Sequence, residues 1–211
     1  MPCLYDWYEE SGSTRSEYFW QDLLVARWIF EARPERHLDI GSRVDGFVAH
    51  VASFRQIEVL DVRKAAAQIP GIKFIQTDLM QPVKEIMGCC DSLSCLHALE
   101  HFGLGRYGDP IDPAGFERGI VNMSDLLKEG GTLYLSVPVG IDRVEFNAHR
   151  VFDPRVIVNR AERCSLRLKA LTVIGPDGIC EDSYLDMERM AALANRRYAL
   201  GIFTFEKRSA K

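Results

Sequence analysis

Two carboxylates at the ends of short apolar runs are the most informative chemical feature of this sequence. Asp39 lies in the run His37–Gly41, and Asp61 ends a second apolar run about 20 residues later. A carboxylate in that position can accept hydrogen bonds from two ribose hydroxyls, and Gly41 lets a ligand approach the backbone closely. A helix-like segment begins near Asp45, and its free N–H groups would face an anion. This order of residues predicts a site for a nucleotide-like ligand.

Histidines supply the candidates for acid–base chemistry. Because histidine as a residue type titrates near neutral pH, His149 is a candidate general base for an acceptor oxygen or nitrogen, with a structural role as the alternative. His101 is a second catalytic candidate. The pattern His97-Ala-Leu-Glu-His101 also matches His-x-x-Glu-His, and on a helix both rings would share one face and could bind a metal. Because the pattern follows a strand-like run and no third ligand is evident, we expect no metal site.

A glycine-rich loop over residues 102–111 is the main candidate for substrate binding. It contains three glycines, which cost backbone entropy on ordering unless the loop shapes a binding surface. Within it, Arg106 would clamp an anionic substrate and Tyr107 would contact it. The carboxylate of Asp109, or that of Asp112 just after the loop, would orient a hydroxyl, with a helix cap as the alternative for Asp112. Arg150, which follows the fifth strand-like run, is a further candidate for substrate binding.

The apolar pattern alternates short strand-like runs with helix-length connections, which is typical of a parallel α/β sheet. The strand-like runs are residues 36–40, 57–60, 72–75, 92–96, 133–137, 166–172 and 200–205. The expected helices are residues 16–32, 47–54, 112–129, 153–163 and 185–197. Ser13 or Ser16 would cap the first helix, an acid followed by proline starts the third and fourth, and Gly130-Gly131 should end the third.

Composition places the chain among ordinary globular proteins, with 211 residues, 47% apolar and 27% charged. This length suits one domain over residues 1–211, with an N-terminal helical cover over 1–33 and an α/β core over 34–211. A net charge of −4 and a pI near 5.8 argue against a nucleic-acid partner. No apolar run is long enough for a membrane span, and neither an export signal nor a disulfide framework is evident. We therefore expect a cytoplasmic protein.

Several segments, taken in order, resemble the class I S-adenosylmethionine-dependent methyltransferases over residues 36–140. They are the strand and turn around Gly41, Asp61, Thr77-Asp-Leu79 after the third strand, Ala98-Leu-Glu-His101 after the fourth, and Leu127-Lys-Glu-Gly-Gly-Thr-Leu133 before the fifth. More narrowly, residues 37–42, the loop 101–110 and Asn147-Ala-His-Arg150 look like an uncharacterised methyltransferase-like family, a domain of unknown function. This second resemblance spans most of the chain.

The resemblance implies a Rossmann-like, doubly wound, mostly parallel seven-stranded sheet with an antiparallel last strand. It implies S-adenosylmethionine as the cofactor and a small molecule or a glycan as the methyl acceptor. The cofactor contacts that it implies are Asp39 at the ammonium group, Gly41 and Ser42 beside the methionine portion, Asp61 at the ribose, Asp78 and the Leu79 amide at the adenine, and His97 where the methyl group emerges.

Two other functions compete with methyl transfer. Arg43 stands where such a turn usually has glycine, and it puts a cation where a sulfonium cofactor needs none. The alternative is therefore a non-catalytic, methyltransferase-like binding or scaffolding protein. An NAD-dependent oxidoreductase is disfavoured, because the segment Gly41–Gly46 lacks the fuller Gly-x-Gly-x-x-Gly pattern.

Overall fold

The structure, a computed structural model, describes residues 4–8, 11–65, 67–175, 178, 180–181 and 186–209. The strands in this part of the chain are β1 (His37–Ile40), β2 (Ile57–Asp61), β3 (Ile72–Gln76), β4 (Cys90–Leu96), β5 (Leu127–Val139), β6 (Arg143–Glu145), β7 (His149–Val151), β8 (Leu166–Ile174), β9 (Cys180–Glu181) and β10 (Ala199–Lys207). The α-helices are α1 (Glu17–Ala32), α2 (Ala49–Ala52), α3 (Gly115–Leu126), α4 (Pro154–Arg163) and α5 (Met187–Ala194).

One twisted sheet organises the fold, in the strand order β3-β2-β1-β4-β5-β10-β8-β9. Strands β1 to β5 pair in parallel, whereas β10 runs antiparallel to both of its neighbours, β5 and β8. The predicted mostly parallel sheet of seven strands with an antiparallel last strand is therefore confirmed. The two-residue strand β9 extends its edge by a hairpin that the sequence pattern does not predict, and β6 and β7 form a separate pair.

Helices cover both faces of the sheet and create two apolar layers. Buried residues of α1 and α2, such as Ile29 and Val51, pack on one face. Buried residues of α3, α4 and α5, such as Ile120, Ile157 and Leu193, pack on the other. This arrangement leaves the ends of the strands as the place where a ligand can enter. Within the described residues, no helix is both long and apolar enough to cross a bilayer.

Helix starts follow the predicted capping residues closely. The Ser16 hydroxyl accepts a hydrogen bond from the Tyr18 amide at 3.3 Å, and the Asp153 carboxylate accepts one from the Arg155 amide at 2.9 Å. The Asp112 carboxylate accepts from the amide of Ala114, and α3 begins directly after that turn. The fifth helix is shorter than predicted, and the first predicted residue of that helix, 185, lies outside the described residues.

The segment after β1 differs from the helix predicted over residues 47–54. Val44–Val48 forms a wide π-type turn, and α2 continues as a helix for only four residues. Gly46 has non-helical dihedral angles, φ −130° and ψ −108°, and a Cβ atom there would collide with the carboxylate of Asp22. The close approach of Asp22 from α1 therefore overrides the helical pattern of the sequence.

The predicted end of α3 at the glycine pair 130 and 131 is wrong. The helix ends at Leu126, and Leu127 is already extended and pairs with Cys90 of β4. Gly130 instead adopts φ +76° inside β5. Sheet pairing at Leu127 stops the helix before the glycines are reached.

Candidate functional site

A cleft of about 300 Å³ opens at the carboxyl ends of the parallel strands, beside the first turn of α1. Its wall brings together most of the predicted site residues: Gly41, Asp61, Asp78, Leu79, His97, His101, Arg106, Tyr107, Asp109 and His149. Three predicted site residues, Asp39, Ser42 and Arg150, lie behind the wall and are buried.

The turn after β1 is built around Gly41. This glycine adopts φ +67°, and a Cβ atom on it would lie only 3.1 Å from the Cβ of Ala98. A side chain at this position would therefore be strained and would crowd the wall of the cleft. The missing side chain leaves the backbone of the turn open to the cleft.

Asp39 is fully buried behind this turn and does not line the cleft. Its carboxylate accepts hydrogen bonds from the Ser42 amide (3.0 Å), the Ser42 hydroxyl (2.6 Å) and the Ser94 hydroxyl (2.6 Å). Burial raises the pKa of Asp39 to about 6, although the hydrogen bonds from Ser42 and Ser94 act in the opposite direction. Together Asp39 and Ser42 hold β1, its turn and β4 in place, and their predicted contact with a ligand, directly or through water, stays a prediction.

Asp61, at the end of β2, is covered by a neighbouring guanidinium. Arg63 Nε lies 2.9 Å from Asp61 Oδ1, and Arg63 Nη2 lies 2.6 Å from Oδ2. The same guanidinium lies 4.8 Å from the ring centre of Tyr107 and 3.5 Å from the Gly41 carbonyl. Both oxygens that a ribose diol would need are therefore paired with Arg63, a partner that the sequence analysis did not consider.

The turn after β3 places Asp78 and Leu79 at the opposite wall. One carboxylate oxygen of Asp78 accepts a hydrogen bond from the Met80 amide at 2.9 Å. The carbonyl of Leu79 accepts one from the Asn122 side chain at 2.6 Å, which anchors the turn to α3. This wall is held from two sides and is fixed in position.

The glycine-rich loop is organised around Asp109. Its carboxylate accepts hydrogen bonds from the amides of Gly103 (3.0 Å), Gly105 (3.3 Å) and Tyr107 (3.1 Å). Gly103 adopts φ +73°, and a Cβ atom there would overlap the Asp112 backbone. Asp109 uses both carboxylate oxygens to shape the loop, and we assign it to loop conformation rather than to the reaction.

Arg106 and Arg150 take different positions around this loop. Arg106 reaches the rim of the cleft, where it donates a hydrogen bond to the Ala148 carbonyl at 2.6 Å and lies 5.4 Å from the ring centre of Tyr107. Arg150 is 5% exposed and donates to the Phe102 carbonyl at 2.6 Å. Arg150 therefore holds the loop from its buried side, and the cleft wall does not include it.

The floor of the cleft contains a buried acid–base cluster that we define as Glu17, His97, Glu100, His101 and Tyr198. His97 Nδ1 donates to Glu100 Oε1 at 2.9 Å, and His97 Nε2 lies 3.4 Å from Glu17 Oε1. Burial disfavours a charged ring, but the hydrogen bonds and charges of the two carboxylates outweigh it and raise the pKa of His97 to about 9. The cluster therefore holds an imidazolium at neutral pH.

The pKa of His101 is shifted in the opposite direction to that of His97. Its Nδ1 donates to the Ala148 carbonyl at 2.7 Å, which leaves Nε2 as the basic nitrogen. Burial lowers the pKa of His101, although the charge of Glu100 raises it. The ring is neutral at pH 7 and can accept a proton at Nε2.

His149 lies at the rim of the cleft, on β7. Its Nε2 is 3.7 Å from Glu145 Oε2, and its side chain is 27% exposed. It shares the cleft with the acid–base cluster but stands further from the buried floor. His149 is therefore a candidate for proton exchange with solvent.

The two histidines of the metal-like pattern both approach Glu100 Oε1, His97 Nδ1 at 2.9 Å and His101 Nε2 at 3.7 Å, but the backbone at the end of β4 is not an α-helix. Leu99–His101 is a short 3-10 turn, and His97 precedes it with φ +52°. The shared helical face on which a two-histidine metal site depends is not formed. Within the described part of the chain, no group of three histidine, cysteine, aspartate or glutamate residues has the geometry to hold a metal ion.

Besides Arg63, four residues of the cleft that bear on its chemistry were missed by the sequence analysis: Glu17, Tyr18, Glu100 and Tyr198. Tyr198 donates to Glu17 Oε1 at 2.6 Å across a separation of 181 residues, which no local pattern can reveal. Tyr18 packs on the His97 ring with centroids 4.5 Å apart. Glu100 alone had a signal, since it belongs to the Ala98-Leu-Glu-His101 segment.

The fold is that of the class I S-adenosylmethionine-dependent methyltransferases. A 1,6-didemethyltoxoflavin-N1-methyltransferase from Burkholderia thailandensis, solved with S-adenosylhomocysteine, is 12% identical, with a TM-score of 0.66 over 93% of this chain and 80% of its own. The N-methyltransferase NodS from Bradyrhizobium japonicum, also with S-adenosylhomocysteine, is 14% identical, with a TM-score of 0.61 over 94% and 90%. The cyclase SpnF is 14% identical, with a TM-score of 0.65 over 90% and 82%.

The chain belongs to the family described as Caenorhabditis protein of unknown function, DUF268, whose sequence model matches residues 48–158. No curated protein matched the chain. Because both methyltransferases and a cyclase share this fold, the fold by itself does not name the reaction. The residues that line the cleft are therefore the basis for proposing a reaction.

Proposed function

We propose that this protein transfers a methyl group from S-adenosylmethionine to a small-molecule or glycan acceptor. The observation that carries the proposal is that Gly41, Asp61 and Asp78 line one cleft at the ends of three neighbouring strands. The shared fold with S-adenosylhomocysteine-bound enzymes supports it. When bound, this cofactor supplies an electrophilic methyl group next to the acceptor.

The residues present fit such a cofactor. The backbone at Gly41 is open to the cleft because no Cβ atom fills the space there. Asp61 offers a carboxylate for two ribose hydroxyls, and Asp78 with Leu79 forms the facing wall. Arg63 occupies one acceptor position on each oxygen of Asp61 and therefore competes with a diol for this carboxylate.

The acceptor end of the cleft lies at the acid–base cluster. His101 is the residue that we propose as general base, since its tautomer presents Nε2 and its ring is neutral at pH 7. His149 at the rim would pass the proton to solvent. Arg106 at the loop would hold a negatively charged part of the acceptor.

A thermal-shift titration with S-adenosylmethionine and S-adenosylhomocysteine tests the proposal. At about 100 times its dissociation constant, a ligand adds about 2.7 kcal/mol, which is roughly 5 to 10 °C in the unfolding midpoint of a domain of this size. We expect a saturable shift with both compounds, none with NAD, and its loss in Asp61→Ala. No shift at millimolar ligand would contradict cofactor binding.

The pairing of Arg63 with Asp61 leads to a prediction about affinity. Arg63→Ala should lower the dissociation constant of S-adenosylhomocysteine about 3- to 10-fold, because the ligand no longer competes with a two-point ion pair for the carboxylate of Asp61. Isothermal titration calorimetry measures the change.

Arg36→Ala is the matched control for Arg63. Arg36 makes the same kind of two-point contact with Glu58, at 2.6 and 3.0 Å, but does not line the cleft. Its removal should leave the affinity unchanged. Weaker binding in Arg63→Ala would mean that the guanidinium contacts the ligand instead of competing with it.

The covered carboxylate of Asp61 also favours a second candidate function, a non-catalytic binding or scaffolding protein. In that case Arg63 would close the ribose site permanently. A binding or scaffolding protein of this kind would show no thermal shift with S-adenosylmethionine or S-adenosylhomocysteine, either in the native chain or in Arg63→Ala. A shift that appears only in Arg63→Ala would mean that the site is intact but closed by this side chain.

A further inference from the structure

The acid–base cluster contains a buried oxygen that lacks a partner. Glu100 is 1% exposed and lines the cleft, and its Oε1 accepts the hydrogen bond from His97. Its Oε2 has no hydrogen-bond partner among the residues that the structure describes. Nε2 of His97 is the other atom of the cluster without a hydrogen bond, but it lies 3.4 Å from the carboxylate oxygen of Glu17. Leaving a buried acceptor unpaired costs free energy, so a group that donates a hydrogen bond to Oε2 would bind favourably.

The charges of the cluster do not balance. Glu17 and Glu100 are two carboxylates on either side of one imidazolium, that of His97. Burial and these two carboxylates raise the pKa of Tyr18 and of Tyr198, so both phenols stay neutral and add no charge. One negative charge therefore remains at the floor of the cleft.

The arginines of the cleft do not neutralise this charge directly. Arg43 pairs with Asp45 at 2.8 Å, and Arg63 pairs with Asp61 at 2.6 Å. Arg106 donates to a backbone carbonyl at the rim. The floor is therefore suited to a ligand group that is positively charged and also carries a hydrogen-bond donor.

We propose that the acceptor end of this cleft binds a small protonated amine, which donates an N–H hydrogen bond to Glu100 Oε2 and offsets the charge of Glu17 and Glu100. This inference rests on the proposed methyl transfer and names its acceptor as a nitrogen. The bound ammonium has no free lone pair. One proton would pass from its nitrogen to Nε2 of His101, leaving a neutral amine and an imidazolium.

The test is an NMR titration of the full chain, saturated with S-adenosylhomocysteine, that follows the ring resonances of His97. The probes are n-propylamine, the isosteric n-propanol, and tetramethylammonium, which has the charge but no N–H group. We expect propylamine to bind at least about tenfold more tightly than either of the other two. Equal affinity for propylamine and propanol, or no binding of propylamine at millimolar concentration, would overturn the proposal.

Matched variants assign the effect to the cluster. Glu100→Gln and Glu17→Gln should each reduce the preference for propylamine over propanol about tenfold or more. Glu145→Gln makes the same change at a half-exposed carboxylate outside the cleft wall and should leave the preference intact. The His101 resonances of each variant report whether it is folded. An unchanged preference for propylamine in both folded cluster variants would also overturn the proposal.

The same samples separate this inference from the proposed function. A thermal shift with S-adenosylhomocysteine but no preference for amines would reject the amine and leave methyl transfer standing. No shift with S-adenosylhomocysteine would reject the proposed function itself. If Glu100→Gln weakens S-adenosylhomocysteine and not propylamine, Glu100 contacts the cofactor's own ammonium group, and the amine proposal is wrong.

Discussion

His97→Gln should lower the free energy of unfolding by about 3 to 5 kcal/mol near pH 6, because it leaves the buried carboxylate of Glu100 and the partly buried one of Glu17 without their cation. His97 is held by Glu100 at 2.9 Å and by Glu17 at 3.4 Å, beneath the ring of Tyr18. The loss is measured by urea denaturation of the native chain and the variant. His50→Gln, at an exposed histidine whose ring nitrogen Nδ1 lies 2.7 Å from the Gly46 carbonyl, is the control and should change little.

The pH dependence of the same measurement has a defined sign. The pKa of His97 is raised from an ordinary value of 6.5 to about 9 in the folded chain. The stabilisation from this group is therefore complete below pH 6.5 and is lost as the pH rises through 9. The native chain should lose on the order of 3 kcal/mol over this window, and His97→Gln should not. Parallel curves for the two proteins would show that His97 is not charged in the fold.

Local signals in the sequence explain why most of the fold was predictable. The Ser16 and Asp153 caps act on the residues next to them, and the Gly41 turn needs only a positive φ and a missing side chain. The wrong parts depend on contacts between distant residues. Gly46 fits against Asp22 of another helix, and Leu127 leaves α3 to pair with Cys90 of β4.

The site was predictable as a location and less so as a set of roles. Acidic residues at the ends of parallel strands predict where the cleft lies, independently of the role of each residue. Asp61 and Asp78 both line it. Asp39 and Asp109 have the residue type of a ligand contact, but hydrogen bonds from Ser42, Ser94 and the loop amides use their oxygens. The partners that decide such roles come from other segments and cannot be read from spacing.

The two ends of the cleft differ in electrostatic character. At the glycine turn, Arg63 neutralises the carboxylate of Asp61. The positively charged S-adenosylmethionine that we propose for this end therefore meets no excess negative charge while this ion pair is in place. At the floor, Glu17 and Glu100 exceed the single charge of His97. Negative potential is therefore concentrated where the acceptor would lie, and it would stabilise the positive charge that a methylated amine carries.

His101→Gln should reduce kcat about 10²- to 10⁴-fold, the range that removal of a general base produces, without changing the affinity for S-adenosylhomocysteine. His101 Nδ1–H is fixed on the Ala148 carbonyl at 2.7 Å, so Nε2 is the only nitrogen of this ring that can take a proton. Transfer of a radiolabelled methyl group from S-adenosylmethionine to a panel of small amines and sugars measures the rate. The affinity is measured by calorimetry.

The pH profile separates a general base from a merely structural histidine. In the native chain, kcat should rise with pH through a pKa below 6.5, since burial lowers the pKa of His101. His101→Gln should lose this limb, whereas His149→Gln should keep it and lose less activity, because His149 lies at the exposed rim. If His149→Gln removes the limb and His101→Gln does not, the base is His149, and the proton leaves through the rim without passing through the buried cluster.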